Sequence, residues 1–311
     1  MERKELLLLN PAEYEHHFDK SALKTLEGTP GLEKAVKYVH KHGVERIIRL
    51  SYTGSNIKVT SDNFPELYKL LEEACANIFL KDLPELYIQW DYDINAFAIG
   101  SQNPIIILNS GAVDLLSDDE LLYLLGHEAG HIKSGHMLYH DMALVIPFLG
   151  DLIGAVTLGI GSVVSAGLEL ALLYWYRMSE LTADRAGLLA CQDKNTAFST
   201  LMKMGGVPKN FYEKMKTEDF IKQANDFQDF DFNTADKVAK TIMISLSEHP
   251  WTVLRTSELI KWINSGKYDE IIEMHGKGSL EEIEITCQKC GKKLGGNETF
   301  CGVCGSKVWK R

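Results

Sequence analysis

A 35-residue apolar block, residues 142–176, separates two clusters of histidine and acid: His127, Glu128 and His131 before it, Glu180 and Asp184 after it. Asp151 and Glu169 interrupt the block, and its longest charge-free run, residues 152–168, has 17 residues and four glycines. One helical span of a bilayer needs about 20 apolar residues. If the flanking clusters meet at one point, the chain between them crosses a membrane an even number of times. Two crossings need about 40 residues plus a turn, and the block is too short for that. Two arrangements remain: a buried helical hairpin, or a hairpin that dips into one leaflet. The interrupting charges favour the first.

The remainder reads as a globular chain. A composition of 45 % hydrophobic and 24 % charged residues over 311 positions suits one large core with a small satellite domain and excludes intrinsic disorder. Thirty-three basic against 43 acidic residues, a net charge of −10, disfavour a nucleic-acid partner. The leucines at 6–9 end at Asn10-Pro11, too short a run for a signal peptide, so the expected compartment is the cytoplasm. The inner face of the membrane stays within reach of residues 142–176. Oligomeric state is not legible.

Along the chain, residues 12–45 read as helical segments broken at Thr29-Pro30-Gly31. Residues 47–52 and 56–61, separated by Thr53-Gly54-Ser55, read as a hairpin. Pro65 opens a helix, and 85–90, 96–100 and 104–110 read as three further strands. Ser117-x-x-Glu120 is a capping box that launches a helix to His136, and 181–192 reads as another. Residues 195–245 look helical around a polar loop at 225–236, and a segment runs from His249-Pro250 to Gly266. The expected class is α+β, mainly helical with a small mixed sheet. A shift to Gly, Lys and Cys near residue 280 divides the chain into 1–280 and 281–311.

His127-Glu128-Ala129-Gly130-His131 is H-E-x-x-H. On a helix, i and i+4 share a face, so the two imidazoles can hold one ion. Such an ion lowers the pKa of water, Glu128 takes the proton, and the hydroxide attacks a carbonyl. Glu180 and Asp184, again i,i+4, offer a third ligand and a hydrogen-bond acceptor for a ligating imidazole. The alternative is a solvated helix face patterned by Asp184 and Arg185. His136 is turned off the ligand face, toward a supporting or surface role.

Cys287-x2-Cys290 and Cys301-x2-Cys304, each pair followed by glycine, suit a tetrahedral structural zinc in a ribbon of about 30 residues. Unlinked cysteines in a tail are the alternative. The local basic excess is too small for nucleic acid, which leaves a protein-contact or lid module. Two zinc ions per chain are expected, one catalytic and one structural.

Residues 10–265 resemble the HtpX-like and CAAX prenyl protease-like zinc metallopeptidases, a gluzincin family. The resemblance rests on Asn95–Gly100 before residues 104–116, on "GHEAGHIKSGH", on "SELTADRAG", and on His249-Pro250 followed by Arg255. It implies a zincin-like fold with His127, His131 and Glu180 as zinc ligands and Glu128 as general base. It also implies that Asp184 supports the ligands and that Asn95, Ala96, Phe97 and Ala98 form an edge strand to which an extended substrate adds. His249 resembles a histidine that approaches the metal and could stabilise an oxyanion; by itself it is a His-Pro at a segment start. The implied activity is zinc-dependent endopeptidase action on proteins or peptides. A zinc-binding scaffold without catalysis, or hydrolysis of non-peptide amides, are the other readings.

Overall fold

The computed structural model describes residues 3–41, 43–143, 160–228 and 251–276, the pairs 285–286 and 293–294, and residue 303. His249, the four clustered cysteines, the 281 boundary and residues 152–159 of the charge-free run lie outside the described residues.

Four helices open the chain: α1 (Pro11–Tyr14), α2 (His17–Glu27), α3 (Leu32–Lys41) and α4 (Val44–Ser55). Strand β1 (Ile57–Val59) and helix α5 (Pro65–Asn77) lead to β2 (Glu85–Gln89), β3 (Ala96–Ile99) and β4 (Ile105–Asn109). Helices α6 (Ser110–Leu115), α7 (Asp118–Ser134), α8 (Ile160–Cys191), α9 (Lys194–Met204), α10 (Thr217–Gln228), α11 (Thr252–Asn264) and α12 (Lys267–His275) follow. Near the C-terminus β5 (Ile285–Thr286) pairs antiparallel with β6 (Lys293–Leu294). The outcome is the expected mainly helical α+β architecture with a small mixed sheet.

The sheet order is β1-β2-β4-β3. Strands β2 and β4 are parallel at its centre, while β1 and β3 pair antiparallel on the outside. Every residue of β4 is buried, as a central strand covered on both faces requires. Strand β3 is an edge and faces α7.

Two expectations are corrected. Residues 47–52 are not the first strand of a hairpin; they lie in α4, and Thr53-Gly54-Ser55 is its last turn. Their isoleucines suggest a strand, but the contacts repeat at helical spacing. Ile48 and Tyr52 pack on the sheet beside Tyr87, Ile105 and Ile107. On the adjoining stripe, Glu45 accepts from Ser101 and Gln102, and Arg49 pairs with Glu85. A strand would send 48 and 52 to one face but could not bring 45 and 49 together beside them. The loop read at 225–236 is also shortened, because Asn225–Gln228 belong to α10.

Helix α7 is the centre of the core. Its capping box is formed: Ser117 Oγ accepts from the Glu120 amide at 3.4 Å and Glu120 Oε2 from the Ser117 amide at 2.8 Å. Glu120 is itself held by Ser199 and Lys203, both at 2.6 Å. From Leu121 to Leu125 all five side chains are buried, the mark of a helix enclosed on every side. Gly135, at φ 76°, ends the helix in the left-handed region. Helix α8 runs antiparallel along α7. Among the described residues no helix is long and apolar enough to cross a membrane.

Candidate metal centre

The approach of α7 and α8 depends on small residues spaced four apart. A Cβ on Gly126 would fall 2.2 Å from that of Ala190, and one on Gly130 would fall 2.3 Å from that of Ala186. With no side chain at either position, the backbones close in and place Glu180 and Asp184 of α8 opposite His127 and His131 of α7.

His127 Nε2 and His131 Nε2 lie 3.2 Å apart. Glu180 reaches both, at 3.3 Å from His127 Nε2 and 3.4 Å from His131 Nε2. Donors bound to one tetrahedral ion at about 2.0–2.1 Å stand about 3.3 Å from each other. All three residues are buried. His127 Nδ1 is 3.1 Å from Asp184 Oδ1, a partner that would hold the ring proton on Nδ1 when a metal takes Nε2. The donor set suits zinc: two imidazole nitrogens, one carboxylate, and a side open toward Glu128, whose Oε1 is 3.9 Å from His127 Nε2.

The charges make the same demand. Glu128, Glu180 and Asp184 are three buried carboxylates, and Arg255 is one guanidinium, 3.4 Å from Glu180 and paired with Asp184. Three negative charges against one positive leave a deficit of two, the charge of a divalent cation. Protons answer it in the metal-free chain. Burial pulls the His127 imidazole down, yet its bonds to Asp184 and Glu180 outweigh this and lift it to about 9. Burial pushes Glu128 up to about 7, against the pull of His127 and of the Ala98 amide that donates to it. His131 is pushed by burial down to about 4, with Glu180 offsetting part of the effect. Glu180 and Asp184 resist the same burial penalty: the two imidazoles hold Glu180 well below the usual carboxylate range, and Arg255 with His127 does so for Asp184.

The solvated-face alternative for α8 is overturned. Asp184 is fully buried and accepts from Tyr123 Oη at 2.8 Å as well as from Arg255 Nε at 2.8 Å. Arg185 stacks on Trp262 and donates to the carbonyls of Tyr14 and Glu15. His136 is off the ligand face and buried, with Nδ1 2.9 Å from His131 Nδ1. Ala96, Phe97 and Ala98 lie in the edge strand β3, just after Asn95, and Ala98 touches Glu128 through its amide. Tyr123 and Asp19 are additional participants. Tyr123 sits one turn before His127, so helical spacing could have pointed to it. Asp19 carries no local signal.

The profile of peptidase family M48 matches residues 61–263. The chain belongs to peptidase family M48. A plastoglobule-localised metallopeptidase 48 of Arabidopsis thaliana, a chloroplast protein, is 30 % identical over 274 residues, which is 87 % of this chain and 78 % of that protein. Protease HtpX homologues match over less. The one from Dictyoglomus turgidum is 29 % identical over 147 residues, 46 % of this chain and 43 % of its own length. The one from Streptococcus mutans is 28 % identical over 101 residues, 32 % of this chain and 33 % of its own length. No solved structure matches. This M48 peptidase is a zinc metallopeptidase whose substrates are proteins or peptides.

Proposed function

We propose that this M48 peptidase is an endopeptidase in which His127, His131 and Glu180 hold the catalytic zinc and Glu128 is the general base. The observation that carries the reading is the convergence of the two Nε2 atoms and the Glu180 carboxylate within 3.2–3.4 Å, with Glu128 alongside. Bound there, zinc supplies Lewis acidity that polarises a carbonyl and acidifies water. The chain supplies the rest. Glu128, lifted by burial toward neutrality, takes the proton of the attacking water and passes it to the leaving amine. Arg255 and Asp184 hold Glu180 and His127 in place. Strand β3 offers an edge on which an extended peptide backbone can pair, with Asn95, Ala96, Phe97 and Ala98 as its binding segment.

The same reading gives His249 a place near the metal and Cys287, Cys290, Cys301 and Cys304 a structural zinc. It keeps the chain cytoplasmic, with the 142–176 block as its route to a membrane surface. The experiment is Glu128→Gln, assayed on unfolded protein with and without membranes. Retained zinc with hydrolysis lowered by at least about 10²–10⁴-fold is expected. Hydrolysis that persists in that variant would sink the mechanism. Internal fragments from the wild type separate an endopeptidase from an exopeptidase, and an inert wild type favours the zinc-binding scaffold.

A further inference from the structure

The side of His131 turned away from Glu180 meets a second imidazole. His131 Nδ1 lies 2.9 Å from His136 Nδ1, and His136 Nε2 lies 3.3 Å from Asp19 Oδ2. Asp19 comes from α2, far away in the chain, and is fully engaged. Its Oδ1 accepts from Trp175 Nε1 at 2.9 Å and its Oδ2 from Thr182 Oγ1 at 2.6 Å. His131, His136, Asp19, Trp175 and Thr182 are all buried. We propose that His136 and Asp19 are a positioning relay that fixes the tautomer and the ring orientation of His131, so that Nε2 is presented bare to zinc. The inference rests on the ligand set proposed above.

The direction follows from counting protons. Two imidazole nitrogens at hydrogen-bond distance share one proton. If His131 Nε2 is a ligand, its ring proton sits on Nδ1 and is donated to His136 Nδ1. His136 then carries its own proton on Nε2 and donates it to the Asp19 carboxylate, which only accepts. In the reverse arrangement a bare His136 Nε2 would face a carboxylate oxygen, acceptor against acceptor, and a proton would occupy the metal-facing nitrogen of His131. Only the first direction satisfies every group. His127 meets its carboxylate, Asp184, directly; His131 meets one through an intervening imidazole. That intermediate is needed because Asp19 is on the opposite side of His136 from the ligand.

His131, His136 and His140 could also be read as a second ion site, since their donor atoms lie within 4.8 Å of one another. The contacts favour the relay. The 2.9 Å between His131 and His136 is a hydrogen-bond length, His136 Nε2 is directed at Asp19, and His140 Nε2 is 3.0 Å from Ser179 Oγ.

The test uses the full-length chain loaded with zinc. Long-range ¹⁵N NMR of the histidine rings is expected to show His131 as the Nδ1–H form and His136 as the Nε2–H form. His136→Phe should weaken zinc binding at the His127 site by about 10–100-fold in chelator competition. His136→Asn, whose Oδ1 can replace the accepting Nδ1, should recover most of that affinity. An Nδ1–H form of His136, or wild-type affinity in His136→Phe, would overturn the relay; if that variant does not fold, the wild-type spectrum and His136→Asn decide. Zinc content unchanged by His127→Ala would overturn the ligand set and the relay with it. Zinc lost in His127→Ala but indifferent to position 136 would overturn the relay alone. A further ion that disappears with His140→Ala would replace it by the second site.

Discussion

Replacing Gly130 with alanine sets two effects against each other. In an isolated helix the change is favourable by about 0.8–1 kcal/mol, since alanine restricts the unfolded chain and glycine does not. In this fold the new Cβ would stand 2.3 Å from the Cβ of Ala186, which is fixed to the α8 backbone and cannot rotate aside. Non-bonded carbons settle at about 3.5–4.0 Å, so α7 and α8 would have to separate locally by about 1.2–1.7 Å. Overpacking of this kind costs about 1–3 kcal/mol. Net destabilisation of up to about 2 kcal/mol is expected, or a fall in melting temperature of up to about 8 °C for a domain of this size. The same movement draws Glu180 away from His127 and His131, now 3.3 and 3.4 Å distant, and zinc affinity should fall at least about ten-fold. Thermal unfolding of the metal-free and metal-loaded protein, with chelator competition, measures both. Adding Ala186→Gly should restore the separation and show a coupling between the two positions. A Gly130→Ala protein as stable as wild type, with its zinc affinity intact, would refute the claim that this contact sets the ligand spacing.

Three further outcomes are expected. Arg255→Ala leaves Asp184 buried without its guanidinium, and should cost about 3–5 kcal/mol in urea unfolding as well as zinc affinity. Asp141, whose carboxylate accepts from the Gly100 amide at the end of β3, is raised by burial to about 7 from 3.8. Its folded pKa lies above the unfolded one, so its contribution is lost as pH rises from about 4 through about 7, by at most about 4 kcal/mol. Asp141→Asn can still accept from Gly100, and the difference between its unfolding free energy and that of wild type should follow that pH window. Elemental analysis should find two zinc ions per chain, one of them lost in His127→Ala and the other in Cys287→Ser/Cys290→Ser; a single ion in the wild type would refute the two-site expectation.

What local sequence announces is visible in α7. The capping box marks its start, the H-E-x-x-H spacing puts two imidazoles on one face, and the Glu180/Asp184 spacing does the same on α8. Those patterns are written within a few residues of each other and survive into the fold. The misreading of α4 has the opposite origin. Isoleucines at 47 and 48 favour strand locally, whereas in the fold Ile48 packs with Tyr52 against Tyr87, Ile105 and Ile107 from a helix and Ile47 is left exposed. The sheet order was equally out of reach, because the parallel pairing of β2 with β4 and the edge position of β3 are non-local choices. Asp19 is the extreme case. It stands more than a hundred residues from His131, and nothing around it distinguishes it from any helical aspartate.

Helix α8 begins at Ile160 and carries Glu180 about 30 Å further on. From Leu168 to Ala186 it contains neither glycine nor proline, the usual places for a helix to kink. Leu168, Leu172, Trp175 and Met178 are packed in a cluster with Ala22 and Leu26 of α2. Glu180, the proposed ligand, therefore rides on a stiff strut whose bearing is α2, the helix that also supplies Asp19. Over the roughly 18 Å from Leu168 to Glu180 a tilt of about 3° displaces the far end by about 1 Å, a misplacement that can cost about 100-fold in rate. Anything that grips α8 around Leu168 has mechanical leverage on the gap between Glu180 and the two imidazoles without approaching it.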